Sequence, residues 1–170
     1  MQRAPQQLGA HRAVLRRAPA AAAFAVLGLA VIFGADVVGL LAQRSVYADL
    51  DDRALVQVVG RGHYYADRRM PGVGIPATIL TAVTATAAFI WGTPLLGVLS
   101  AAGLVLLVTW LLVYARIAKP INTTLTAAAL ADEVPADARS LQARWDAILP
   151  LRVTLIAATL LLLLSTLALL

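Results

Sequence analysis

The stretch VTLIAATLLLLLSTLALL, residues 153–170, has no charged side chain, and its reading decides the fold. A helix needs about 20 mostly apolar residues to cross the hydrocarbon core of a bilayer. Directly before it stands RWDAILPLR, residues 144–152, which sets a Trp, a Pro and an Arg at the entrance to the apolar run. A plain anchor needs only a basic residue there, so this entrance raises the question of chemistry.

Working outward, three further segments have the same character, giving four expected spans at about 19–42, 71–92, 94–115 and 151–170. The chain is 61% hydrophobic with a mean hydropathy of +0.82, too apolar for an ordinary soluble domain of 170 residues. Backbone polar groups must be satisfied within lipid, and the period-two alternation of a membrane barrel is missing. The expected fold is all-α, a four-transmembrane-helix bundle forming one membrane domain over 19–170 behind a basic tail at 1–18. Arg12, Arg16 and Arg17 could also head a secretory signal. The apolar run after them is long, and no small-x-small cleavage site follows, so a retained helix is expected.

The connectors carry the polar residues. In 43–70, Val46, Leu50, Ala54, Leu55, Val58 and Val59 recur at helical spacing, which predicts an amphipathic interfacial helix with Asp51, Asp52, Arg53 and Arg61 in solvent. Spans two and three are separated only by Gly92, Thr93 and Pro94, a tight hairpin. The second long connector is expected to be helical, with a start near Pro135 and Leu141, Trp145 and Ile148 on one face. Thr78, Thr81, Thr84 and Thr86 are expected to bond back to their own helix. Gly28, Ala35 and Gly39 are small enough for close helix contact.

Both long connectors must lie on one side of the membrane, with the hairpin and both termini on the other. Ten Lys and Arg flank the connector side and four precede the first span. By the positive-inside rule the connectors are expected in the cytoplasm of a multi-pass cell-membrane protein, although a basic tail before the first span argues the other way. The net charge of +5 is spread over membrane flanks without a basic, aromatic-interleaved stripe. Lipid headgroups rather than nucleic acid are the expected partners. The chain has no cysteine, which excludes disulfides and thiolate chemistry.

Asp36 is the most informative residue. A carboxylate about six residues inside a span costs roughly 2.5–3.5 kcal/mol, so it should face inward with a partner. Arg152 enters the fourth span from the same side. It either snorkels to headgroups or turns inward onto Asp36, and we expect the two to meet. Trp110 and Tyr114 are one turn apart and read either as an aromatic belt or as a ring platform. Asn122 follows Pro120 and reads as a cap or as a site residue. His63, in GHYYADRRMP (62–71), is the one imidazole outside the tail, because His11 lies in it; a surface role competes with that of a base. Two histidines and no cysteine leave little for a metal, although His63 with Asp36 or Asp67 is a conceivable pair.

With Pro120-Ile121-Asn122 after the third span, Trp145 and Arg152 seven residues apart before the fourth, and HYYADRRMP before the second, the chain resembles the anthrone oxygenase-like family of small four-helix membrane proteins. The likeness covers most of the chain but rests on short motifs. It implies a monooxygenase of natural-product (polyketide) biosynthesis that oxidises an anthrone to an anthraquinone, with O₂ as co-substrate and no metal or organic cofactor. Such a site needs a base, a donor for the developing oxyanion and an aromatic slot. His63 or Asp36 would be the base and Arg152 and Asn122 the oxyanion donors. Trp110, Tyr114 and Trp145 would form the slot, with Tyr64 and Arg69 completing the substrate-facing set. Two other readings stay open, namely a membrane cyclase or isomerase using the same groups, and a non-catalytic subunit or lipophile-binding protein. A homo-oligomer is compatible with all three.

Overall fold

A computed structural model of the protein describes residues 3–169, with side chains from Pro19 onward. The side chains of the basic tail, His11 included, lie outside that description. Among the described residues the chain is all-α. Its helices are α1 (Arg3–Val38), α2 (Arg44–Asp49), α3 (Asp52–Arg69), α4 (Pro71–Trp91), α5 (Pro94–Val113), α6 (Lys119–Ala131) and α7 (Ala138–Leu169). Two π-helical segments, π1 (Gly39–Gln43) and π2 (Tyr114–Ala118), join α1 to α2 and α5 to α6. Four helical stretches are long and apolar enough to cross a membrane: Pro19–Asp49, Pro71–Trp91, Pro94–Ala131 and Ala138–Leu169. This is the expected class, but three stretches outrun their apolar runs. The expected helix of the second connector starts at Ala138, near Pro135, and runs without a break into the fourth span, with Ala138 and Leu141 buried in a hydrophobic core.

The chain divides into two compact units. The first comprises the chain up to Val31, Val73–Leu107 and Ile156–Leu170. Here many buried positions are small or hydroxylated, among them Ala22, Ala25, Ala77, Thr81, Thr84, Ala85, Ser100, Thr159 and Thr166, and they pack beside larger ones such as Leu29, Leu107, Ile156 and Leu163. Apolar side chains such as Phe24, Val105 and Leu161 face outward, and Phe89 is 70% exposed. Large apolar side chains on the outside and many small ones at the contacts suit lipid, where close packing replaces hydrophobic burial as the force between helices. Gly28 shows how close the contact is, since a Cβ there would stand 2.8 Å from the Cβ of Ala77. The four threonines of α4 bond to the carbonyls four residues back, at 2.8–2.9 Å, as expected.

The second unit comprises Ile32–Gly72 and Val108–Leu155. Its core is Leu55, Val56 and Val59 of α3 against Ile121, Leu125, Ala128 and Ala129 of α6, closed by Ala138 and Leu141 of α7. Burying each large aliphatic side chain contributes about 1.5–3 kcal/mol. The amphipathic helix is present, but its buried stripe is Leu55–Val56–Val59–Gly60, while Val46 and Val58 are exposed. The shift arises at Leu50, whose extended backbone breaks the helix, and Asp51 then caps α3 by accepting from the Ala54 amide at 2.8 Å. Arg139 donates to Asp52 at 2.6 Å and to the carbonyls of Tyr47 and Leu50, holding this break against the start of α7. Asp51, Asp52, Arg53 and Arg61 are exposed, as expected.

Candidate functional site

The site lies wholly within the second unit. Asp36 lies in the last turn of α1, just before π1, and its buried carboxylate accepts three hydrogen bonds. Arg152 Nη2 donates to Oδ1 at 2.8 Å, Arg152 Nε to Oδ2 at 3.2 Å, and Trp110 Nε1 to Oδ2 at 3.1 Å. Arg152 is only 6% exposed, so it turns inward rather than snorkelling. It also lies deeper in its helix than the apolar run implies, fourteen residues after the start of α7 at Ala138. A guanidinium suits this place because its planar fork meets a carboxylate through two parallel N–H groups, and a lone buried charge would be strongly unfavourable.

Rings surround the pair. The Arg152 Cζ stands 4.5 Å from the Trp110 ring centre, 5.7 Å from that of Trp145 and 5.8 Å from that of Tyr114. Trp110 and Tyr114 lie nearly parallel, 6° apart in plane, with centroids 6.2 Å apart. They form a ring platform inside the unit. Trp145 and Arg152 share a face two turns apart because α7 runs unbroken through Pro150.

A second carboxylate organises the neighbouring groups. Tyr114 Oη donates to Asp67 Oδ1 at 2.9 Å, and Asn122 Nδ2 reaches Oδ1 and Oδ2 of Asp67 at 3.1 and 3.3 Å. Asn122 is buried in the first turn of α6, so it is neither a cap nor a turn residue. Asp67 was expected only as a conceivable metal-binding partner of His63, not among the catalytic or substrate-facing residues. Its signal was its spacing, since it lies four residues after His63 on α3 and therefore on the same face.

His63 packs against Trp145, with ring centroids 5.4 Å apart and planes tilted by 46°. Burial lowers its pKa to about 4. The Asp67 charge opposes this shift and the Arg152 charge adds to it, so the imidazole is neutral at pH 7. Among the described residues, four buried side-chain polar atoms have no hydrogen-bond partner: His63 Nε2, Asn122 Oδ1, Trp145 Nε1 and Gln142 Oε1. Each such atom costs about 1–3 kcal/mol in a folded protein, and three of the four belong to the expected site residues.

The two remaining expected residues stand apart. Arg68 stacks over Tyr64 at 3.6 Å, and Arg69, exposed, lies 4.9 Å from the Tyr65 ring centre. Among the described residues, neither Tyr64 nor Arg69 makes a hydrogen bond, ion pair or ring contact with Asp36, Arg152 or Trp145. Nor do three or more His, Asp or Glu side chains come together as metal donors among the described residues. Compared with models of protein families, with curated proteins and with solved structures, the chain matches none.

Proposed function

We propose that the protein is an integral membrane enzyme acting on a lipophilic aromatic molecule, most simply a cofactor-independent oxygenase of the anthrone-to-anthraquinone type. One observation carries this reading: a buried, carboxylate-held guanidinium faced by three aromatic rings beside a neutral imidazole. In this reaction a ring-flanked CH₂ and O₂ become a carbonyl and water, so both hydrogens of the methylene leave with one oxygen atom. Deprotonation gives an electron-rich carbanion able to react with O₂, and the site must take up that proton and stabilise the resulting oxyanion. Both oxygens of Asp36 are occupied, which favours Asp36 as the residue that orients Arg152 and leaves His63 Nε2 as the base. Arg152 and the platform of Trp110, Tyr114 and Trp145 hold the anion and its rings. The reading includes cytoplasmic connectors and residence in the cell membrane.

The full occupancy of Asp36 also favours a second reading, in which the ion pair only sets helix register and the protein binds a lipophile without turnover. O₂ uptake by detergent-purified, metal-stripped protein given an anthrone separates the two. We expect uptake with one quinone formed per O₂, abolished by Arg152→Ala. A rate no greater than the spontaneous one, for wild type and variant alike, would count for the second reading.

A further inference from the structure

We infer that the site selects an uncharged, hydroxyl-bearing aromatic lipophile through a fixed acceptor, Asn122 Oδ1, and a fixed donor, Trp145 Nε1, and that Asp67 is the positioning residue that sets the acceptor. The inference rests on the reading of this cluster as a binding site for an aromatic molecule.

A primary amide is ambiguous, since it can turn either its oxygen or its nitrogen toward a ligand. Asn122 is not free to choose. Its Nδ2 faces both oxygens of Asp67, at 3.1 and 3.3 Å, and a carboxylate only accepts. Turning the amide over would set two acceptors against each other. Oδ1 is therefore held away from Asp67 as an acceptor; it is buried, the residue is only 4% exposed, and Oδ1 has no partner. Trp145 Nε1 is a donor by its chemistry, and it too is buried without a partner. Trp145 lies between the two clusters, its ring 5.4 Å from that of His63, which is one turn from Asp67 on α3, and 5.7 Å from the Arg152 Cζ.

A ligand that satisfies both atoms donates one hydrogen bond and accepts another. A hydroxyl on an aromatic ring does both, whereas its methyl ether leaves Asn122 Oδ1 unpartnered. Sites built this way reject the analogue that lacks the group, because their own polar atoms are then left unpaired.

The test is a titration, by calorimetry, of the full chain in detergent with 1-naphthol and with 1-methoxynaphthalene. We expect naphthol to bind about tenfold or more tightly, the equivalent of about 1.4 kcal/mol. In Asp67→Asn the amide of Asn122 can turn over and offer its N–H, so the preference should collapse through tighter binding of the ether. Asn122→Leu should remove the preference by weakening naphthol alone, with thermal unfolding of both variants as the check on folding. Equal binding of the two compounds by wild type would overturn the inference while sparing the aromatic site. A preference that survives in a folded Asp67→Asn would overturn the assigned role of Asp67. Binding of neither compound would overturn the aromatic site itself, and the inference with it.

Discussion

At the scale of the residue, the ion pair of Asp36 and Arg152 dominates. Asp36→Asn leaves a buried guanidinium without its counter-charge, and should destabilise the protein by about 3–5 kcal/mol. Replacing both partners, as Asp36→Leu with Arg152→Met, removes the uncompensated charge. That double variant should unfold within about 1–2 kcal/mol of wild type, yet be inactive in the O₂-uptake assay. Thermal unfolding in detergent beside the activity assay reads both quantities. Retained activity in the double variant would remove the pair from the mechanism.

His63 supplies a pH dependence whose sign is set by its burial. Its folded pKa is about 4, below the ordinary histidine value of 6.5, so between these values the unfolded chain binds the proton more readily. Stability is therefore lost as pH falls from about 6.5 towards 4. His63→Phe should flatten the thermal midpoint over this window, whereas an unchanged slope would assign the loss to other groups. If His63 is the base, its neutral form is complete above about pH 5, and the rate should show no imidazole titration near 6.5.

At the scale of the element, the pairing of α3 with α6 places His63 and Asp67 on one side and Asn122 on the other. Gly60 sets the spacing. A Cβ there would stand 2.2 Å from the Leu125 carbonyl oxygen and 2.6 Å from the Ala129 Cβ, atoms of a facing helix that cannot move alone. Gly60→Ala should force the helices apart, at a cost of about 1–3 kcal/mol. Gly34→Ala, which meets nothing within 4 Å, serves as the control. The measurement is the shift in thermal midpoint of each variant, and equal shifts would mean that α3 and α6 are not held this tightly. The π segments act at the same scale, since a π turn adds one residue to a helical turn and rotates the chain beyond it by about 100° relative to an unbroken α-helix. π2 begins at Tyr114 and ends just before α6, so the facing of Asn122 depends on it.

At the scale of the whole molecule, four membrane-length helices and a lipid-facing apolar surface require that the protein partition with membranes. The spread of ten basic residues over the connector side then gives a testable topology. A membrane-impermeant label should reach a cysteine placed at Arg61 or Asp137 only after the cells are opened, and one placed at Thr93 in intact cells. The opposite pattern would show that the basic residues before the first span set the orientation.

The sequence by itself determined what depends on composition and short-range spacing. It determined the four apolar spans, the back-bonded threonines of α4, the amphipathic character of α3, and the need of Asp36 for a partner. These rest on chain-local physics, because lipid demands an apolar helix of a given length and penalises an unpaired carboxylate wherever the rest of the fold lies. Asp36, Arg152, Trp110, Tyr114, Trp145, His63 and Asn122 could be singled out in this way, as polar or aromatic residues in places where apolar ones would serve. Only the tertiary structure decided which of them meet. The break at Leu50 and the two π segments each reset a helical face, and none has a distinctive residue pattern. They joined Asp67 to Tyr114 and Asn122, left Tyr64 and Arg69 outside, and turned the lone amide of Asn122 into an acceptor. The physical reason is that a rotation of one residue about a helix axis leaves composition unchanged but moves every side chain beyond it by about 100°.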